Sequence, residues 1–144
     1  MSYGYIVFNY ANSNFLVPLE QFHIILNPDE ILDKIGADEN NINDLFFGKK
    51  LINIIHLSKY LNSESSKVTS SSRLLVGEFN EQLVGFWVDN IAEIINIEKN
   101  KLKSIDFNAE EMLIKKVTIE EQHYNLINLK SIIKKEIDFN NQIN

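Results

Sequence analysis

The sequence contains no cysteine among its 144 residues. This absence excludes a disulfide framework and a thiolate zinc site, and it fits a protein of a reducing compartment. No stretch approaches the roughly 18 uninterrupted apolar residues of a membrane-spanning helix. The N-terminus also lacks the basic start and apolar block of a secretory signal. We therefore expect a cytoplasmic protein that does not insert into a membrane.

Positive charge is scarce as well. Fourteen Lys and Arg residues stand against 20 Asp and Glu residues, which gives a formal net charge of −6. Nucleic-acid binding normally requires a clustered basic surface, and the Lys/Glu mixture late in the chain does not supply one. The composition therefore predicts no nucleic-acid partner.

Motifs of catalysis and cofactor binding are missing too. The histidines His23, His56 and His123 are far apart, with no pair at metal-ligand spacing. The five glycines are scattered and form neither a dinucleotide-binding nor a Walker pattern, and no serine lies in a G-x-S-x-G elbow. We expect no metal, no cofactor and no enzymatic activity. The acidic first half leaves one alternative open, an enzyme that combines these carboxylates with a histidine.

What the sequence does contain is a set of short strand-like runs. With 44% hydrophobic and 24% charged residues, the chain should fold as a single domain over residues 1–144. About nine or ten runs of β-branched and aromatic residues alternate with polar turns, which indicates an all-β protein. Leu129, Ile132, Ile133 and Ile137 recur at helical spacing, so a short amphipathic helix should close the chain, with residues after Asp138 frayed.

The longest strand-like stretch runs from Leu74 to Ile97. Its runs Leu74 to Phe79 and Leu83 to Val88 are separated by Asn80, Glu81 and Gln82, a pattern that predicts a β-hairpin. Apolar residues occupy both faces of the second run, so we expect it to be covered on both sides and Trp87 to belong to the core. Gly85 inside this run indicates a tight bend or the close approach of another backbone.

Residues 62–72 contain six serines. Such a segment is too polar to bury, and we interpret it as a mobile loop. It would join two approximate halves of the domain, residues 1–61 and 73–138.

The motif VGFWVDNIAEI, from Val84 to Ile94, resembles the signature of CheW-like domains. Three more stretches are similar to this family in the same order: the opening hairpin YIVFNYANSNFLVPL, the block LFFGKKLINIIHLSKYL, and LINL at Leu126 to Leu129. The resemblance implies two small SH3-like five-stranded barrels that share a hydrophobic core, with short helices that include one near the C-terminus. The second block departs from the family, because the arginine beside the glycine is missing under either alignment.

CheW is the adaptor that joins bacterial chemoreceptors to the histidine kinase CheA. The resemblance therefore implies a non-enzymatic scaffold in receptor arrays at the inner membrane face, with the CheA regulatory domain and the cytoplasmic receptor tips as partners. In this family the receptor contact uses the groove between the barrels, and the kinase contact pairs one barrel with a similar barrel of CheA. The residues that match these surfaces by position are Phe46, Phe47, Gly48, Lys49, Lys50, Val88, Asp89 and Ile91.

Two further alternatives stay open. The chain can be a small all-β module that holds an apolar ligand in a central cavity, or a CheW-like paralogue that serves a different signalling pathway. Phe46 and Phe47 bear on the adaptor hypothesis, because adjacent residues of a strand point to opposite faces and only one of the two is easily buried. The exposed one would invite a partner.

Overall fold

A computed structural model of the chain describes residues 2–30, 44–61, 63–64, 67–104 and 113–143. Within these ranges the chain forms two five-stranded sheets and two α-helices. The first sheet contains β1 (Ser2–Tyr10), β2 (Ser13–Pro18), β8 (Asn90–Glu98), β9 (Ile114–Ile119) and β10 (Gln122–Ile127). The second contains β3 (Ile24–Leu26), β4 (Leu45–Phe47), β5 (Lys50–Ile55), β6 (Arg73–Phe79) and β7 (Gln82–Val88). The helices are α1 (Leu57–Leu61) and α2 (Leu129–Ile143).

The first sheet is built from both ends of the chain. Its strand order is β8-β1-β2-β10-β9, and all neighbours are antiparallel except β2 and β10, which run parallel through Phe15 and Leu16. The second sheet has the order β3-β6-β7-β5-β4, with β5 and β7 parallel. The predicted central hairpin is confirmed as β6 and β7, which pair in register from Arg73 opposite Val88 to Phe79 opposite Gln82.

Each sheet curls into a half-barrel, and the buried side chains form three clusters. The cluster inside the first barrel contains Tyr5, Val7, Leu16, Ile97, Val117 and Leu126. The cluster inside the second contains Leu26, Ile52, Ile54, Val68, Leu74, Val76 and Trp87. The largest cluster takes residues from both sheets and from α2, among them Phe8, Phe15, Phe86, Ile132 and Ile133. The predicted two-barrel fold with a shared core is therefore confirmed.

Alternation along β7 explains how one strand serves two clusters. Val84, Phe86 and Val88 point into the shared core, whereas Trp87 points into the second barrel. All four are at most 7% exposed. At Gly85 an added Cβ would lie 3.1 Å from the Ile52 side chain, so the close neighbour here is a side chain. Of the two predicted reasons for this glycine, a tight bend or the close approach of another backbone, the second is therefore wrong.

The helix α2 begins at a polar cap. Asn128 Oδ1 accepts a hydrogen bond from the backbone N–H of Ser131 at 3.3 Å, which satisfies one of the free donors of the first turn. Leu129, Ile132 and Ile133 then pack into the shared core, as the helical spacing predicted. The helix continues to Ile143, so the frayed end expected after Asp138 is not observed at that point.

The strand order corrects the predicted division into halves. The barrels do not correspond to residues 1–61 and 73–138, because β3 to β7 form one sheet while β1, β2 and β8 to β10 form the other. The serine-rich segment joins α1 to β6 inside the second barrel. Residues 62, 65 and 66 lie outside the described residues, but Val68 and Ser72 are 1% and 3% exposed, so part of the segment is buried, contrary to expectation.

Candidate interaction surface

The hairpin of β4 and β5 carries exposed apolar side chains. Phe46 is 66% exposed, Phe47 39% and Leu51 41%. The strand β4 forms one edge of its sheet and pairs with β5. Large apolar residues grouped in this way on an edge hairpin mark an interaction surface more often than scattered ones do.

Strand register explains why both phenylalanines face solvent. Phe46 lies opposite Leu51, and Phe47 lies opposite Lys50 next to the turn. Leu45 and Ile52, one pair closer to the barrel, pack into the second cluster. The expectation that one phenylalanine would be buried is therefore wrong. The end of the hairpin extends beyond the core, so neither phenylalanine side chain can pack into the core.

Gly48 and Lys49 form the turn of this hairpin. Gly48 has φ of +63°, a conformation that favours glycine, and an added Cβ there would meet no atom within 4 Å. Lys49 and Lys50 are both exposed. The structure thus brings the five predicted residues from Phe46 to Lys50 together on one projecting tip.

A cleft of about 500 Å³ lies beside this tip. Its walls come from the beginning of β5 and from the neighbouring β6–β7 turn, including Lys50, Leu51, Glu78 and Glu81. Leu51, Glu78 and Glu81 are not among the surface residues predicted from the sequence. Two features of the sequence could have identified them. Leu51 lies in a strand close to the hairpin turn, as do Phe46 and Phe47, and Glu81 lies in the turn between β6 and β7.

The other predicted residues lie where the chain passes from β7 into β8. Val88 is 1% exposed, whereas Asp89 and Ile91 are partly exposed. Asp89 Oδ2 accepts a hydrogen bond from the backbone N–H of Ala11 at 2.9 Å, and the Asp89 N–H donates to the Asn9 carbonyl at 2.9 Å. Asp89 therefore anchors the turn between β1 and β2.

The structure separates the two predicted groups. Leu83 lies beside Ile52 in the parallel pair of β7 and β5, and Val88 is five residues further along β7. At about 3.3 Å per residue, the group that contains Asp89 is roughly 17 Å from the exposed hairpin along the sheet. A short partner segment therefore contacts both groups at once only if it runs along the length of the sheet.

A second groove of about 430 Å³ lies between β5 and α2, with Asn53, His56, Val84 and Ile133 among its lining residues. Glu136 lies at its edge, where Oε2 accepts a hydrogen bond from the Tyr60 hydroxyl and is 3.3 Å from Lys59 Nζ. The pKa of Tyr60 is well above the ordinary value for tyrosine. Burial of the hydroxyl is the largest cause, and the hydrogen bond to Glu136 is the next. These contacts hold α1 against α2.

The described part of the chain contains neither a cluster of metal ligands nor a helix that can cross a membrane. Its histidine, aspartate and glutamate side chains form no group of three that can hold a metal ion. The helices described in this part are too short or too polar to span a membrane.

Comparison with known proteins identifies the fold family. The model of the CheW-like domain matches residues 4–136. Among solved structures, the scaffolding protein TtCheW from Thermoanaerobacter tengcongensis superposes with a TM-score of 0.66 at 18% identity, covering 90% of this chain and 86% of that one. The search of curated proteins gave no match. Because the family model spans nearly the whole sequence, the chain belongs to the family of CheW-like domains.

Proposed function

We propose that this protein is a non-enzymatic adaptor that couples chemoreceptors to the histidine kinase CheA. Membership of the CheW-like family supports this class of function. The observation that carries the proposal is the projecting hairpin with Phe46, Phe47 and Leu51 exposed on two otherwise well-packed barrels. Exposed apolar side chains on such a hairpin are suited to binding a protein surface.

The mechanism is binding alone. Burial of an exposed phenylalanine against a partner contributes on the order of 1.5–3 kcal/mol, or about a tenfold to hundredfold gain in affinity. An adaptor that holds two partners needs such surfaces, with no chemical step.

We assign the receptor contact to the hairpin tip from Phe46 to Lys50, so that this protein would meet its receptor differently from ordinary members of the family, which use the groove between the barrels. Ordinary members of the family have an arginine in this block, which is able to form a bidentate, charge-assisted bond with a carboxylate. Neither Phe47 nor Gly48 reproduces that bond. Apolar contact by the phenylalanines therefore replaces it, and Lys49 and Lys50 are the alternative source of affinity.

Binding to the cognate receptor tip separates these two sources. We expect Phe47→Ala to weaken binding about tenfold or more at both low and high salt, because apolar contacts are hardly screened by ions. The double variant Lys49→Ala with Lys50→Ala should change affinity less. Ile94→Ala is a matched control, because Ile94 is 52% exposed on the other barrel. If the lysine double variant loses most of the affinity and Phe47→Ala leaves the affinity unchanged, the proposal of an apolar contact at Phe47 is wrong.

The partners of this adaptor would place it at cytoplasmic receptor arrays on the inner membrane face. A pull-down with the CheA homologue of the same cell distinguishes the main adaptor from a paralogue that serves another pathway. Displacement of an apolar dye tests the ligand-binding alternative. Specific displacement from either barrel would favour that alternative, although both barrel interiors are packed with side chains.

A further inference from the structure

The turn that precedes β6 is locally basic in an acidic chain. The whole chain has a net charge of −6, but the stretch from Lys67 to Gly77 contains two basic residues, Lys67 and Arg73, and no acidic residue. Arg73 is the only arginine of the sequence, and Ser70 lies three positions from each of the two basic residues. Basic residues on both sides favour a negatively charged group at Ser70.

Four hydroxyl side chains follow one another in this turn, and they differ in their contacts. Thr69 Oγ1 accepts a hydrogen bond from the Ser71 N–H at 3.2 Å, and Ser72 Oγ accepts one from the Thr69 N–H at 2.9 Å. Ser72 is also buried. The side chains of Ser70 and Ser71 are exposed, and their hydroxyls form no hydrogen bond within the described residues. The hydroxyls of Thr69 and Ser72 therefore hold the turn, whereas those of Ser70 and Ser71 are accessible for reaction.

Arg73 places its guanidinium against the same turn. Nη1 donates to the Ser70 carbonyl at 2.9 Å and to the Ser72 carbonyl at 2.7 Å. These bonds use only Nη1, so the N–H donors of Nε and Nη2 remain for an anion. No salt bridge within the described ranges involves Arg73, although the chain has 20 acidic residues.

The bond to the Ser70 carbonyl determines which hydroxyl is nearest to this guanidinium. The Oγ and the carbonyl oxygen of one residue are only a few covalent bonds apart, so a phosphate on Ser70 Oγ can reach Arg73. Phosphate also fits the guanidinium, because two parallel N–H donors match two phosphate oxygens. The Ser71 carbonyl accepts no bond from Arg73. Of the two accessible hydroxyls, that of Ser70 is therefore the better placed.

We propose that Ser70 is a phosphorylation site and that Arg73 binds the phosphate. A serine/threonine protein kinase would transfer the group from a nucleoside triphosphate. Ser70 Oγ forms a bond to the γ-phosphorus while the bond from that phosphorus to the β-phosphate oxygen breaks, and the nucleoside diphosphate leaves. A base of the kinase takes the hydroxyl proton. Kinases select substrates by charge pattern, and Lys67 and Arg73 suit a kinase with an acidic substrate cleft.

Phosphorylation would change the charge at one end of the second barrel. Arg73 pairs with Val88, so the turn before β6 lies beside Asp89, the residue that follows β7. A phosphoserine adds about −1.5 to −2 charge at neutral pH. This charge would repel acidic groups of a partner that contacts Asp89 and Ile91. The effect on a partner rests on the proposed function, whereas the phosphorylation itself does not.

Phosphate mapping on the full chain, isolated from its own cells, tests the site. Fragmentation mass spectrometry should find phosphate on Ser70 in the wild type. Ser70→Ala should lose this phosphate, and Ser71→Ala, which removes the other accessible hydroxyl, is the matched control that should keep it. Absence of phosphate from Ser70 in both growing and starved cells would overturn the proposal, whether or not another serine is modified.

A phosphorus NMR titration tests the role of Arg73. Phosphoserine is introduced at position 70 of the full chain, with Arg73 present or with Arg73→Gln. A nearby cation favours the doubly charged phosphate, so the second pKa of the phosphate should be lower with Arg73 and should rise in Arg73→Gln.

The control for this titration is phosphoserine in place of Glu78. Glu78 is exposed at the other end of β6, roughly 17 Å from Arg73, so Arg73→Gln should leave the phosphate pKa there unchanged. If Arg73→Gln also leaves the phosphate pKa at position 70 unchanged, the proposed contact with Arg73 is overturned. Neither the mapping nor the titration bears on the coupling of receptors to CheA.

Discussion

At the scale of single residues, Trp87 shows how strongly the second barrel depends on one side chain. Trp87 is 3% exposed and packs with Ile52, Leu74 and Val76. We expect Trp87→Ala to lower the free energy of unfolding by about 3–5 kcal/mol, through lost apolar burial and the cavity that remains. Urea midpoints at unchanged slope measure this loss. A loss below about 1 kcal/mol would contradict a core position.

Trp87→Phe is the matched variant. The indole Nε1 is buried and donates to no acceptor in the described part of the chain, so phenylalanine removes no hydrogen bond. Its cost should therefore stay below about 1.5 kcal/mol.

Asp89 allows a structural role to be separated from a partner contact. Its carboxylate accepts the backbone N–H of Ala11, a turn residue with φ of 50°. We expect Asp89→Ala to cost about 2 kcal/mol of stability, as is typical of hydrogen bonds to charged groups, and Asp89→Asn to cost less because an acceptor oxygen remains. Thermal or urea unfolding decides between the roles. Unchanged stability together with lost partner binding would instead identify Asp89 as a contact residue.

At the scale of elements, three hairpins turn on two residues with positive φ, and none of these residues is glycine. The pairs are Ala11 and Asn12, Asn80 and Glu81, and Glu120 and Glu121. This geometry matches the twist of the strands, but side chains with a Cβ adopt it at a cost of about 1 kcal/mol per residue. The hairpins therefore form because their strands pack well, in spite of their turn residues.

The third of these turns offers a test. Glu121 has φ of 69°, and Glu121→Gly should raise the free energy of unfolding by about 0.5–1 kcal/mol because glycine adopts this conformation without strain. Gln122→Gly, one residue later inside β10, should lower it. Chemical denaturation of both variants checks the sign, and destabilisation by Glu121→Gly would show that the turn is not strained.

The contact between α1 and α2 predicts a dependence on pH. Burial and the bond to Glu136 raise the pKa of Tyr60 in the folded protein above its unfolded value near 10. The stability from this bond is therefore complete below about pH 10 and is lost as pH rises toward the folded pKa. Tyr60→Phe should flatten this loss in unfolding measurements at alkaline pH. Some slope should remain, because burial and then the charges of Glu93 and Glu120 also raise the pKa of Tyr124. An unchanged slope would contradict the role of Tyr60.

Local pattern predicted the hairpins, but not which strands are neighbours. The runs from Leu74 to Val88 have a strand-like composition and a turn between them, so their pairing is a short-range property. The parallel pairs of β2 with β10 and β5 with β7 join segments far apart in sequence, which no local pattern encodes. For this reason the division at the serine-rich segment was wrong.

At the scale of the whole molecule, the resemblance of the sequence to the family predicted the two barrels. The sequence predicted only some of the residues of the candidate interaction surface. The tip from Phe46 to Lys50 was identified, yet the exposure of both phenylalanines depends on how far the hairpin extends beyond the core. Glu78 and Glu81 were missed, because their position beside Lys50 follows from the pairing of β5 with β7. Surfaces built from several elements appear only after the strands are placed.

The proposed adaptor function requires the chain to hold two partners at once. Titration calorimetry of the protein with the regulatory domain of the CheA homologue, and then with the receptor tip of the same cell, tests it most directly. We predict that each partner binds alone and that the preformed complex with the kinase domain still binds the receptor tip. Folded wild-type protein that binds neither partner, or whose complex with the kinase domain no longer binds the receptor tip, would contradict the adaptor function.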